Sequence, residues 1–353
     1  MIFKKLIIAI GICFCLSSIS YAEEIVLKQS HPTNYKIKKG DTLWDIASRF
    51  LRDPWRWPDI WYVNPQIRNP HLIYPGDEVV LTFKDGKPRL ELRRSSSDAD
   101  LRVVKLGPEV RKEQLTRPIP TIPINAIQQF LSSPKVMSRS ELDGLPHIAS
   151  SYDARLIAGT GDKAYVRNLI PGEATRYTIV RPGMEYRDSP REGKKALGHE
   201  ALHVGEAVVK QYGDPATIEI TDAKREVLIG DRLIPATAQR LDYSFLPHAP
   251  EKQVRGQIIA VVDGVSRIGQ YQVVVINRGT ANGLEKGHVL AVYQSGIQVR
   301  DRINSSLFGG EKITLPDEKT GHLMLFRTFE KVSYGLIMQA TRDMRLYDMV
   351  VNP

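Results

Sequence analysis

Two different periods of hydrophobic and polar residues follow each other near the start of the chain. Tyr35-Lys36-Ile37-Lys38 alternates apolar and polar side chains, as a half-buried strand does. Apolar residues then fall at i, i+3, i+4 and i+7, the spacing of one helical face: Leu43, Ile46, Ala47 and Phe50. A second helical face and a second alternating strand are carried by Trp57, Ile60 and Trp61 and by Val79, Leu81 and Phe83. The pattern predicts a strand–helix–helix–strand (βααβ) unit of α+β class over residues 35–83.

Local signals mark where these predicted helices begin and end. Thr42 and Asp45 form a capping box, in which the threonine hydroxyl accepts from the Asp45 amide and the carboxylate reaches back. Asp53-Pro54 ends the first helix, because a proline disfavours helical backbone in the residue before it. Pro58 suits the first turn of the second helix, which Asn64-Pro65 ends.

Two loop-like runs, residues 39–43 and 69–77, join these elements, and the whole unit resembles the lysin motif (LysM). LysM is a small module that binds glycan chains containing N-acetylglucosamine, so the resemblance implies a glycan ligand for about one seventh of this chain. A glycan needs a shallow groove with backbone donors and acceptors. The resemblance implies that the ligand lies between the two loops, on Gly40, Asp41, Thr42, Leu43, Asn69, Leu72, Ile73 and Tyr74.

All four tryptophans fall within this unit. Trp44, Trp57 and Trp61 have helical spacing and are predicted to belong to its core rather than to a sugar platform. Trp55 lies just outside the helices and is the only tryptophan expected to be exposed. The turn of residues 55–61 directly follows Pro54, contains Pro58 and is longer than in a minimal LysM. It could alter the groove or serve a protein partner.

The first residues predict export. Lys4 and Lys5 precede an apolar run over residues 6–16, and Ser20-Tyr21-Ala22 offers small residues for cleavage, so residues 1–22 read as a signal peptide. A membrane-tethering segment is the alternative reading. Cys13 and Cys15 both lie inside the signal, so the mature chain is expected to have no disulfide and no cysteine chemistry.

The chain has a formal net charge of +9, which raises the question of nucleic acid. Export and the dispersed basic residues argue against that partner. A helix-turn-helix DNA reader is also disfavoured, because the second predicted helix lacks basic residues.

The middle of the chain gives fewer signals. Residues 84–100 contain Asp85-Gly86-Lys87-Pro88 and a serine-rich run, and they read as a linker. Residues 101–148 read as an extended, irregular connector, because Pro118, Pro120 and Pro123 exclude regular structure around them. Ile124–Leu131 is the one short helix expected in that connector.

The remaining sequence looks duplicated, with units at residues 152–236 and 254–353 separated by residues 240–251. Matched positions, in pairs, are Gly159/Gly264, Asn168/Asn277, Gly183/Gly296, Arg187/Arg300, Asp188/Asp301, Gly198-His199/Gly321-His322, Ala223/Ala340, Arg225/Arg342 and Asp231/Asp348. Strand-favouring runs and Asn-Gly turn signals predict two related, mainly β domains.

A further resemblance covers residues 276–293, which are similar to the C-terminal domain of the flagellar assembly protein T. Together with the LysM-like unit, this resembles the peptidoglycan-binding protein associated with the outer-membrane secretin of type IV pili. The resemblance implies a periplasmic scaffold that anchors an envelope machine to peptidoglycan, with a secretin or other envelope protein as partner and a possible homo-oligomeric ring.

One catalytic pattern remains, His199-Glu200-Ala201-Leu202-His203, which fits the H-E-x-x-H zinc motif. On a helix it would give a LysM-targeted cell-wall hydrolase or zinc metallopeptidase. However, Gly198 and Gly205 bracket it and the following valines favour a strand, which would point Glu200 away from both histidines. The sequence therefore predicts a non-catalytic protein with no metal and no cofactor.

Overall fold

The computed structural model describes residues 25–61, 73–93, 119–131, 135–152, 155–236, 245–262, 267–306 and 309–353. The predicted signal peptide at residues 1–22 and two of the predicted ligand residues, Asn69 and Leu72, lie outside the described residues. Within the described ranges, none of the helices has the length and apolarity that crossing a bilayer requires.

The N-terminal module contains the predicted βααβ unit. Its elements are β1 (Asn34–Lys36), α1 (Leu43–Phe50), a 3-10 helix (Pro54–Arg56), α2 (Trp57–Trp61), β2 (Glu78–Lys84) and β3 (Lys87–Arg93). The three strands form an antiparallel sheet in the order β1-β2-β3. The capping box of Thr42 and Asp45 is present at the start of α1, as predicted.

β3 corrects the prediction of a linker over residues 84–100, of which the structure describes residues 84–93. Asp85 and Gly86 have φ values of 52° and 74°, so they form a tight turn that pairs β2 with β3. Asp-Gly is a strong hairpin signal in sequence. Pro88 obscured it, but a proline is tolerated here because β3 lies at the edge of the sheet.

The region read as an irregular connector is more regular than predicted. The described part, from residue 119 onwards, contains α3 (Ile124–Leu131), β4 (Lys135–Met137) and α4 (Arg139–Gly144). The position of α3 agrees with the sequence prediction. α4 was missed, although Ser138 and Glu141 form a capping box at its start.

The first β domain begins before the predicted boundary at residue 152. Its strands are β5 (His147–Ser151), β6 (Ile157–Ala158), β7 (Lys163–Arg167), β8 (Arg176–Arg187), β9 (Ala196–Gln211), β10 (Ala216–Ala223), β11 (Val227–Leu228) and β12 (Arg232–Pro235). The larger sheet has the order β10-β7-β5-β12-β8-β9-β4, and a further pairing of β10 with β9 closes six of its strands into a barrel.

The second β domain is a closed barrel as well. Its strands are β13 (Arg255–Val261), β14 (Arg267–Ile268), β15 (Val273–Ile276), β16 (Val289–Gln294), β17 (Gln298–Ser306), β18 (Gly309–Thr314), β19 (Glu318–Thr328), β20 (Ser333–Ala340), β21 (Met344–Arg345) and β22 (Met349–Val351). The barrel order is β13-β15-β20-β19-β16-β22, and β17 pairs with β18 as a separate hairpin.

The two barrels pair their strands in the same chain order. The first ring runs β5-β7-β10-β9-β8-β12 and the second β13-β15-β20-β19-β16-β22; each domain adds a two-stranded pair, β6–β11 or β14–β21. Asp231 and Asp348 occupy corresponding turns, where their carboxylates accept from the amides of Leu228 and Arg345, both at 2.8 Å.

Two of the sequence matches between the units need correction. Ala223 pairs with Gly205 as Ala340 pairs with Gly321, so Gly205, and not Gly198, corresponds to Gly321. β9 has 16 residues and β19 has 11, and this difference in length misled the spacing comparison. Gly159 corresponds to Gly269, since each amide donates to the side chain three residues on; Gly264 lies outside the described residues.

A hydrophobic cluster joins the module to the rest of the molecule. We call it the joining cluster: it combines Trp44 of the module, Ile122, Ile127 and Phe130 of the region around α3, Tyr186 of the first barrel, and a large part of the second barrel, including Val275, Met324 and Tyr334. The hydroxyls of Tyr186 and Tyr334 lie 2.7 Å apart inside it. Each barrel and the module also has a core of its own.

Candidate functional site

The first predicted binding loop is shaped by its own side chains. The Asp41 carboxylate accepts from the Tyr35 hydroxyl at 2.9 Å and from the Lys38 amide at 2.8 Å. Gly40 is exposed and has a φ of 98°, a left-handed conformation that favours glycine. Asp41 therefore fixes the loop, and the loop leads directly into the buried Thr42 and Leu43.

The backbone amides at the start of α1 all have partners. The first amides of a helix lack acceptors within the helix and need them from elsewhere. The Thr42 hydroxyl accepts from the Asp45 amide at 3.1 Å. The amides of Leu43 and Trp44 donate to the carbonyls of Pro120 and Thr121, at 3.0 and 3.3 Å.

The second predicted loop is described from Ile73 onwards. Ile73 is fully buried, and its carbonyl accepts from the Ile119 amide at 2.8 Å. The half-buried Tyr74 donates its amide to the Asp77 carboxylate at 3.1 Å, which sets up the turn at Gly76. Asp77 thus has the same loop-shaping role as Asp41 in the first loop.

Residues 119–122, which we call the bridging segment, lie between the two loops. Backbone hydrogen bonds connect the segment to Leu43, Trp44 and Ile73, so it joins the predicted site residues of one loop to those of the other. Ile119 belongs to the core of the module and Ile122 to the joining cluster. Sequence reasoning missed the segment, although apolar residues alternating with prolines do favour extended backbone.

The tryptophans of the module divide between two cores. Trp57 and Trp61 are buried in the module itself, as predicted, whereas the equally buried Trp44 packs in the joining cluster. Trp55, which was expected on the surface, is partly buried against that same cluster. The turn of residues 55–61 therefore packs against the joining cluster on the side of Trp55.

A polar contact reinforces this packing. The Tyr271 hydroxyl, in the second barrel, donates to the Asp45 carboxylate at 2.9 Å. Burial, together with this hydrogen bond, raises the pKa of Tyr271 to about 12. Asp45 thus holds the start of α1 with one carboxylate oxygen and the second barrel with the other.

The H-E-x-x-H sequence lies on a strand, as expected, within β9. His203 Nε2 lies 3.0 Å from a Glu206 carboxylate oxygen, and His199 Nε2 lies 3.9 Å from one of Glu185. Neighbouring residues on a strand face opposite sides, so Glu200 does not join the histidines. Among the described residues, these three do not form a group of converging metal ligands.

A different group, His248, Glu285 and His288, brings three possible ligand atoms within 4.8 Å of one another. The Glu285 amide donates to His288 Nδ1 at 3.1 Å, so the proton of the neutral ring lies on Nε2. A metal ion bound to that Nε2 would move the ring proton to Nδ1. Nδ1 could then no longer accept the hydrogen bond from the Glu285 amide. Burial and the nearby His248 lower the pKa of His288, which also favours the neutral ring. Hydrogen bonds within the group therefore account for the close approach of these three side chains.

Comparison with known proteins identifies the N-terminal module. Residues 35–82 match the LysM domain family. Part of the chain is also similar to the uncharacterized protein YqbP of Bacillus subtilis (strain 168), with 43% identity over 61 residues, covering 14% of this chain and 28% of that protein. The chain thus spans 28% of the length of that relative. Residues 35–82 form a LysM domain, a domain that binds peptidoglycan and related carbohydrates.

Proposed function

We propose that this protein is a non-catalytic, periplasmic scaffold that binds peptidoglycan through its LysM domain and anchors an envelope machine through its β domains. The observation that carries the proposal is the LysM domain at residues 35–82, since it is a carbohydrate-binding unit. The predicted signal peptide supports export. By resemblance, the machine is a type IV pilus secretin in the outer membrane.

The glycan site in this proposal consists of the two loops of the LysM domain. Gly40, Asp41, Thr42 and Leu43 are the proposed contacts of the first loop, and Asn69, Leu72, Ile73 and Tyr74 are those of the second, of which Ile73 and Tyr74 lie within the described residues. Asp41 and Asp77 accept backbone and side-chain hydrogen bonds within their loops, so they support the shape of the groove rather than acid–base chemistry. An anchoring role fits a groove of this kind.

The two barrels are proposed to be related domains that supply the protein contacts, including those of a possible homo-oligomeric ring. Their common order of strand pairing supports a shared origin. The β17–β18 hairpin forms a sheet of two strands within the described part of the chain, and its outer edges offer backbone groups to a partner strand.

Glycan binding is tested by pelleting the full mature chain with purified peptidoglycan sacculi, in competition with soluble N-acetylglucosamine oligomers. We expect pelleting that the oligomers reduce, and that Tyr74→Ala weakens several-fold. Tyr212→Ala, which truncates a tyrosine on the first barrel, is the matched control. If neither the oligomer nor Tyr74→Ala changed the amount of protein that pellets, the result would contradict a specific LysM site.

Anchoring and catalysis need separate tests. Co-purification of the tagged protein from outer membranes is expected to recover a secretin or another envelope protein. Metal analysis and a cell-wall zymogram test the alternative hydrolase: stoichiometric zinc that is lost on His203→Ala, together with a lytic band, would favour an enzyme over a scaffold.

A further inference from the structure

We propose that the bridging segment, residues 119–122, occupies the glycan groove of the LysM domain as an intramolecular competitor, so that glycan binds only when the segment is displaced. This inference rests on the proposed glycan-binding function and concerns the regulation of the same site. It gives the chain a closed form, which the structure shows, and an open form that takes the ligand.

The hydrogen bonds between the segment and the loops carry this inference. The Leu43 and Trp44 amides, which α1 cannot satisfy internally, donate to Pro120 and Thr121. On the other loop, the Ile73 carbonyl accepts from the Ile119 amide. Backbone donors of one wall and a backbone acceptor of the other are therefore already in use, and a ligand needing them must replace the segment.

The chemistry of the ligand makes this competition direct. The acetamido group of N-acetylglucosamine carries one carbonyl, one N–H and a methyl group, so its polar groups are those of a peptide unit. The bridging segment offers carbonyls to the first loop and an N–H to the second. It also places the apolar Ile119 in the module core, where a 4% exposed side chain covers apolar surface.

The burial of Thr121 makes an unfavourable contribution to the stability of the closed form. Its side chain is 2% exposed, and its hydroxyl is buried without a hydrogen-bond partner among the described residues. A buried hydroxyl that makes no hydrogen bond opposes the burial of the residue that carries it. The bridging segment is therefore held by its isoleucines and its backbone, while Thr121 favours release.

Displacement of the bridging segment would also change contacts outside the LysM domain. Ile122 is fully buried in the joining cluster, next in the chain to Pro123 and α3, whose Phe130 belongs to the same cluster. The Phe130 carbonyl accepts from Arg327 of β19 at 3.1 Å. Glycan binding would thus disturb the contact between α3 and the second barrel.

A single cysteine at position 121 reports on the segment. A chain that starts at Glu23 has no native cysteine, because Cys13 and Cys15 precede it, so Thr121→Cys gives one buried thiol. In the closed form a maleimide should label this thiol slowly. A soluble N-acetylglucosamine oligomer should accelerate labelling in proportion to its occupancy. Saturable oligomer binding with no change in the labelling rate would overturn the competition and leave the proposed function standing.

A pair of core truncations supplies the second measurement. Ile119→Ala removes the side chain that holds the segment in the module, and Leu90→Ala truncates the same core away from the segment. Because a closed population lowers apparent affinity by the fraction that is open, Ile119→Ala should tighten oligomer binding by about tenfold or more. Leu90→Ala should leave it unchanged or weaker.

The two proposals fail in different ways in these experiments. Equal oligomer affinity of the Ile119→Ala and wild-type chains would overturn the competition only. No oligomer or sacculus binding by either chain, with both folded by circular dichroism, would overturn the proposed function, and the competition with it. Binding by Ile119→Ala alone would support both.

Discussion

Acid is expected to destabilise this protein through one buried histidine. His322 lies on β19, is 4% exposed, and has one weak side-chain partner, the Gln339 carbonyl oxygen at 3.3 Å from Nδ1. Its Nε2 has no hydrogen-bond partner among the described residues. Burial, and then the charge of Lys319, lower the pKa of His322 to about 4, while Gln339 and Asp53 oppose the shift.

The magnitude follows from linkage between protonation and folding. In the unfolded chain the His322 ring has a pKa near 6.5, so below that pH the unfolded state binds a proton that the folded state does not bind until the pH falls to about 4. The stabilisation is complete above pH 6.5 and is lost as the pH falls towards about 4. Each pH unit of that interval is worth about 1.4 kcal/mol, so the total loss is about 3 kcal/mol.

Denaturant unfolding at pH 7.5 and 4.5 measures this loss. His322→Gln removes the titration, so its free energy of unfolding should fall between the two pH values by about 2 to 3 kcal/mol less than that of the wild type. His147→Gln, a change of the same kind on β5 of the first barrel, controls for removal of a histidine. The same pH dependence for His322→Gln and the wild type would refute the reasoning.

Three further variants test local contacts in the LysM domain, in the joining cluster and in the second barrel. Thr42→Ala breaks the capping box of α1 and should cost about 1 kcal/mol in thermal unfolding, whereas Thr42→Ser should cost little. Tyr186→Phe leaves the buried Tyr334 hydroxyl without its partner and should lower the free energy of unfolding by about 1 to 3 kcal/mol. The variant with phenylalanine at both positions should lose less stability than the sum of the two single variants. Strict additivity would contradict a direct hydrogen bond between the two hydroxyls. Gly321→Ala should unfold the second barrel or greatly lower its melting temperature, because an added Cβ would lie 1.9 Å from the Gln339 carbonyl oxygen.

Local pattern was sufficient where a structure depends on near neighbours in sequence. The period of the apolar residues and the capping box located α1, and the apolar run at Ile124–Leu131 located α3 between its flanking prolines. The same criteria would have located β3, because Asp85-Gly86 is followed by alternating residues. Pro88 does not exclude this strand, since a proline is compatible with an edge strand.

Contacts between distant parts of the chain were not predictable in the same way. The apolar period of α1 runs through Leu43, Ile46, Ala47 and Phe50 and does not include Trp44, so it does not show that Trp44 packs in the joining cluster. Likewise, the partners of the Leu43 and Trp44 amides come from residues more than seventy positions away, and nothing local selects them. The matches Asp231/Asp348 and Gly198/Gly321 looked equally good in sequence. The strand register overturns the second match, because Gly205 takes the place of Gly198. Asp231 and Asp348 make similar hydrogen bonds, to the amides of Leu228 and Arg345.

These long-range contacts determine how the LysM domain is oriented relative to the second barrel. A binding module on a flexible linker samples many orientations, so it tethers its protein without orienting it. Here Trp44 and Trp55 pack on the joining cluster, and Asp45 accepts from Tyr271 of the second barrel. The groove therefore has a defined direction relative to that barrel. A glycan strand held in it would be oriented as well as attached, provided that the barrel contact survives release of the bridging segment. The Tyr271–Asp45 hydrogen bond does not involve that segment, so it is the contact best placed to keep the orientation in the open form.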